Sequence, residues 1–84
     1  MNRMQRISKI LEKNLNEFNI KIVDYSHKHR GHNDFDGLGE THIKIILNKN
    51  SNQKFNRLDI HRKINDLLKK EYEIGLHSLE ININ

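Results

Sequence analysis

A two-layer α+β fold is the expectation. It rests on two segments with helical apolar spacing, three short segments of alternating apolar residues, and their order, α-β-β-α-β. Each strand has one apolar face that needs cover, and two amphipathic helices can supply it from one side. The predicted architecture is therefore a three-stranded mixed sheet with both helices on one face, in a single domain spanning residues 1–84.

Residues 3–18 read as the first helix. Met4, Ile7, Leu11, Leu15 and Phe18 step by three and four along one face, Ile10 widens that stripe, and Asn19 is the expected stop. Arg3, Arg6, Lys9, Glu12 and Lys13 lie off the stripe and are expected in solvent. Residues 20–25 are β-rich and form the first strand. Residues 41–47 form the second, with Ile43, Ile45 and Leu47 on one face and His42, Lys44 and Ile46 on the other.

A polar turn over 48–53 comes next. Asn56 then caps a second helix, with Asp59 in the reciprocal position. Ile60, Ile64, Leu67, Leu68 and Tyr72 carry the helical spacing to about Glu73, Lys69 and Lys70 suit its carbonyl end, and Gly75 suits the position just past it. His77–Ile83 alternates as the last strand. The first two strands should pair antiparallel. A right-handed crossover through the second helix should lay the last strand parallel to its neighbour.

Composition narrows the function. The chain has 84 residues, 15 Lys+Arg against 11 Asp+Glu, and no Cys. Without Cys there is no disulfide, no thiolate nucleophile and no all-Cys metal site. The longest apolar stretch, Ile45-Ile46-Leu47, cannot span a bilayer, and the N-terminus has no apolar leader segment, so no membrane partner and a cytoplasmic location are expected. Asn and Ile each occur twelve times while Ala and Pro are absent, a bias that AT-rich coding explains without reference to function. The net charge of +4 is spread along the chain among acidic residues, which describes a mixed-charge surface more readily than a dedicated phosphate-binding face.

The chemistry concentrates in histidine. His27, His29 and His32 crowd a thirteen-residue segment, His27–Gly39, with three glycines and no periodicity. His77 comes soon after the helix-ending glycine. Imidazole suits iron, zinc and copper, although the spacing matches no zinc motif. Asp34-Phe35-Asp36-Gly37 departs from the calcium-loop pattern, no serine sits in a nucleophile elbow, and no carboxylate pair stands in an apolar setting. The chain is read as non-enzymatic. On the second helix, His61-Arg62-Lys63 is an exposed basic turn and the candidate contact for nucleic acid or an acidic partner. His42 is expected to face outward from its strand.

Asp24-Tyr25-Ser26-His27-Lys28-His29-Arg30-Gly31-His32 resembles the D-x-S-x-x-H-x-G-H stretch of BolA-like proteins. Glu40-Thr41-His42-Ile43 resembles their E-T-H-F, His61-Arg62-Lys63-Ile64 the later part of R-H-R-x-[VI], and Gly75-Leu76-His77-Ser78-Leu79 their G-L-H-A-L. The four matches stand in family order over nearly the whole chain. Two positions depart from the pattern. Phe55-Asn56-Arg57 lacks the glycine of F-x-G-x-[SK], and Ile60 replaces the first Arg of R-H-R.

The resemblance implies a fold similar to the KH type-II arrangement. It also implies partnership with a monothiol glutaredoxin, in which glutaredoxin and glutathione supply thiolates to a shared [2Fe–2S] cluster and the BolA-like chain supplies His77 and a His from the loop. The loop position is His29 by the S-x-x-[HC] spacing, with His32 as the alternative and His27 third. No cofactor is expected in the isolated chain, which should be a monomer or weak dimer. The implied role lies in iron–sulfur trafficking or iron sensing. The competing role is that of a KH-like, DNA-binding transcriptional regulator, resting on the fold, the basic balance and the second helix. Against it, no G-x-x-G clamp joins two helices and aromatics are few.

Overall fold

The structure is a computed structural model that describes residues 1–25 and 41–84. The elements are α1 (Arg3–Asn14), β1 (Phe18–Asp24), β2 (His42–Lys49), α2 (Arg57–Leu67), α3 (Lys69–Glu73) and β3 (Ser78–Ile83). The sheet order is β1-β2-β3, with β1 antiparallel and β3 parallel to β2. The predicted α+β, two-layer mixed sheet is therefore the observed one. None of the described helices is long and apolar enough to cross a membrane.

The central strand organises the core. Ile43, Ile45 and Leu47 are buried, and the sheet register sets them beside Ile22 and Ile20 on one flank and Leu79, Ile81 and Ile83 on the other. Ile7, Leu11 and Leu15 cover this face, together with Ile60, Ile64 and Leu68. Seven of these side chains, among them Ile7, Ile45 and Ile64, are fully buried, and each contributes about 1.5–3 kcal/mol of transfer free energy. The opposite face of β2 carries His42, Lys44 and Ile46, all half-buried.

The helices begin where capping permits. Asn2 and Gln5 form a reciprocal box at α1: the Asn2 side chain accepts from the Gln5 N–H, and the Gln5 side chain accepts from the Asn2 N–H. The Asn56 side chain accepts from the Asp59 N–H at α2, as expected.

Three expectations are corrected. The first helix ends at Asn14, not at Phe18 with Asn19 as its stop. Leu15 closes it, its N–H donating to the Leu11 carbonyl at 2.8 Å, and Phe18 opens β1 opposite Lys49. Phe18 is buried in either conformation, so its apolarity does not discriminate between them. Pairing seven residues with β2 satisfies a run of backbone groups that one more helical turn would leave out. Its ring also meets that of Phe55 edge-on, with centroids 5.1 Å apart.

The second helix is interrupted at Leu68, whose φ of −100° and ψ of 13° depart from the α-helical region. The interruption shifts the helical phase of the residues after Leu68. Tyr72, expected on the apolar face, is 39% exposed, and Glu71 is buried at 4%. The Tyr72 hydroxyl donates to the Asn65 side chain at 3.3 Å.

The third correction concerns Arg3 and Arg6, which are not simply solvated. Arg6 grips Glu71 through two bonds, Nε to Oε2 at 2.8 Å and Nη2 to Oε1 at 2.9 Å. Arg3 Nε reaches Glu71 Oε1 at 2.9 Å, with only 11% of the Arg3 side chain exposed. This fork ties the start of α1 to α3. The hydrogen bonds from Arg6 outweigh the desolvation of Glu71, and its carboxyl is held below the ordinary carboxylate range.

The cluster can be tested by substitution and by acid. Glu71→Ala leaves two guanidinium groups without their shared partner and should lower unfolding free energy by about 3 kcal/mol, read from urea titration. Because the folded-state pKa of Glu71 is depressed, its contribution is complete above the unfolded carboxylate value and disappears as pH falls through the folded one. Glu71→Gln should therefore flatten the acid limb of the stability profile. A variant with the wild-type acid slope would contradict this assignment.

Candidate functional site

His77 is delivered by a helix end. Gly75 has a φ of +122°, and the Leu76 N–H donates back to the Glu71 carbonyl at 2.8 Å. This is the long bond of a glycine-terminated helix cap. Leu76 is buried, which turns the chain into the sheet and leaves the next residue, His77, exposed at its rim. Arg3 braces the turn. Its Nη2 donates to the Ile74 carbonyl at 2.7 Å and lies 3.0 Å from where a Cβ on Gly75 would stand. A single arginine thus contacts both the buried Glu71 and the turn that presents His77.

The rim is formed by the starts of β2 and β3. The Thr41 carbonyl accepts from the His77 N–H at 2.8 Å and from the Ser78 N–H at 3.0 Å. The Tyr25 N–H donates to the His42 carbonyl at 2.7 Å. Tyr25 and Thr41 flank residues 26–40, so His77 is fastened to the stem of that segment. His29, His32 and His27, the other expected ligands, lie outside the described residues.

The structure adds one group that the sequence left facing outward. The His42 ring packs against that of His77, with centroids 5.1 Å apart and planes inclined by 42°. The Thr41 hydroxyl lies 3.1 Å from His42 Nδ1. Alternation alone places His42 on the face opposite Ile43, which is correct. What it cannot supply is the parallel register of β3, which sets His42 opposite Ser78 and beside His77. Among the described residues, no group of three or more His, Asp or Glu is arranged to hold a metal ion.

The basic turn on α2 is elsewhere and only partly open. Arg62 is exposed and His61 half-buried, while Lys63 donates to the Asn14 carbonyl at 3.0 Å, at the C-terminal end of α1. Arg57, at the start of α2, donates to the Ile83 carbonyl and lies over the Phe55 ring. Two cations of this helix are therefore engaged within the fold.

The sequence matches the BolA-like protein family over residues 11–84. The chain belongs to that family. It is 33% identical over 84 residues to the UV-induced protein uvi31 of Schizosaccharomyces pombe, covering 96% of this chain and 82% of that protein. Two solved structures superpose along the whole chain. One is the BolA domain of SufE1 from Arabidopsis thaliana, with a TM-score of 0.78, 34% identity and 92% of that domain covered. The other is BolA1 from Arabidopsis thaliana, with a TM-score of 0.79, 31% identity and 92% covered.

Gly75→Ala tests the delivery of His77 by this turn. An alanine would have to adopt a positive φ and push against Arg3. The substitution should cost about 1–3 kcal/mol in thermal or urea unfolding and shift the His77 backbone resonances. Unchanged stability would show that the turn does not need glycine.

Proposed function

We propose that this BolA-like chain is a non-enzymatic adaptor. It binds a monothiol glutaredoxin and offers His77, with His29 or His32 as the second ligand, to a [2Fe–2S] cluster shared with glutaredoxin and glutathione. The observation that carries the reading is the placement of His77. It is exposed at the sheet rim and bonded through its backbone to the stem of the segment bearing the other histidines. A ligand set on a strand end and braced by a buried ion pair is pre-positioned, which limits the ordering needed when a partner docks.

The donor chemistry fits. The chain has no Cys and supplies only nitrogen ligands here, so the thiolates must come from the partner and glutathione. When bound, such a cluster supplies a redox-active iron centre, and replacing thiolates by neutral imidazoles raises its potential. Membership of the BolA-like family supports the adaptor role over catalysis. The nucleic-acid alternative is weakened by the engagement of Lys63 and Arg57 in bonds within the fold.

The test is anaerobic co-expression with a monothiol glutaredoxin in the presence of glutathione, read by visible absorbance and circular dichroism. The expected result is a cluster spectrum distinct from that of the glutaredoxin homodimer. It should be lost in His77→Ala, while the free variant keeps its unfolding free energy to within about 0.5 kcal/mol, as for other exposed positions. A homodimer spectrum with no complex on a sizing column would overturn the proposal and make a salt-dependent DNA titration the next experiment.

A further inference from the structure

Two imidazoles are in contact at the sheet rim, and one of them has no role in the adaptor. His42 stands at the first position of β2 and His77 immediately before β3. Their backbones are locked together, because the Thr41 carbonyl accepts from both His77 and Ser78. Their ring centroids are 5.1 Å apart. Two imidazoles bound to one tetrahedral cation at metal–nitrogen distances of roughly 2.0–2.1 Å have centroids about 5 Å apart. The strand register holds the two backbones side by side, and in the present rotamers the rings stand at that separation.

The neighbouring threonine has the form of an outer shell around a metal-binding histidine. The Thr41 hydroxyl lies within hydrogen-bond distance of His42 Nδ1. The hydroxyl can donate to Nδ1 or accept from it; in the tautomer in which Nδ1–H donates, Nε2 is the nitrogen that faces a metal. Threonine and histidine are adjacent in sequence and lead directly into β2, so this orientation is built into a strand rather than a loop.

We propose that His42 and His77 form a two-imidazole chelate for a borderline divalent cation of the Zn2+ class, completed by solvent or by a partner's ligand. Imidazole is a preferred donor for such ions. Two nitrogens alone make a site of modest affinity with open coordination positions, suited to an ion that is exchanged rather than stored. The chelate shares His77 with the adaptor but uses no glutaredoxin, glutathione or cluster. It also assigns His42 a ligand role.

The experiment uses the full chain and Zn2+ alone. Long-range 1H–15N spectra of the histidine side chains are followed during titration, with calorimetry in parallel. The ring nitrogens of His42 and His77 should shift together up to one equivalent. His42→Gln and His77→Gln should each weaken binding by about tenfold or more, the double variant should be no weaker than the worse single one, and His61→Ala on α2 should bind as the wild type does. Circular dichroism of each variant ensures that the comparison is between folded chains; if His42→Gln is not folded, His42→Asn and the wild-type spectra decide the question. Zn2+ shifts confined to other histidines, or wild-type affinity in a folded His42 variant, would overturn the proposal. Because glutaredoxin is absent, failure here leaves the adaptor untouched, and failure of the adaptor leaves the chelate untouched.

Discussion

A carboxylate buried between two guanidinium groups holds in place the end of the molecule that presents His77. Glu71 lies on α3, a helix of five residues that could not hold its position by its own hydrogen bonds. Arg3 and Arg6, from the first turns of α1, fix it there through three bonds of 2.8–2.9 Å. Arg3 also donates to the carbonyl of Ile74, directly before the positive-φ Gly75. The ion pair thus acts on the turn that leads to His77, although Arg3 and Glu71 are 68 residues apart in sequence. Burying the Glu71 carboxylate is costly unless its bonding is nearly complete, and no buried polar side-chain atom of the described residues lacks a partner.

The second constraint is the central position of β2. It pairs antiparallel on one side and parallel on the other. Its first residues consequently stand beside the end of β1 and the start of β3 at the same rim. A strand in that position gathers what the sequence disperses: Tyr25, Thr41, His42 and His77 come within one or two hydrogen bonds of each other. The apolar face of β2 provides the stability, and the backbone at its start sets the geometry of the rim. These are different residues, which leaves the rim free to vary without emptying the core.

The fit to BolA-like structures covers the whole chain, at about one residue identical in three. At that distance the shared fold is secure, and the chemistry rests on this chain's own residues. The absence of Cys is the most informative of them. It rules out thiolate ligation by this chain and leaves imidazole, carboxylate and thioether as the donors it can offer a metal.

Much of this was legible in one dimension. Alternation placed Ile43, Ile45 and Leu47 inward and the 3.6-residue period placed Ile7, Leu11, Ile60 and Ile64 inward, because both signals are local consequences of where Cβ points. Gly75 and Asn56 marked helix ends through their own backbone and side-chain preferences. The four motifs led to the family. Phe18 was ambiguous because helix and strand both bury it, and only pairing with Lys49 decided between them. Glu71, Arg3 and Arg6 read as surface charge, since a charged residue is buried only when its partner arrives from elsewhere in the chain. His42 read as an outward strand residue, and its contact with His77 exists only through the parallel register of two strands 36 residues apart by their paired ends, His42 and Ser78. The sequence by itself determined the elements, their order and their apolar faces. The tertiary structure alone decided which charges are buried and which imidazoles meet, because those depend on long-range pairing that no local period encodes.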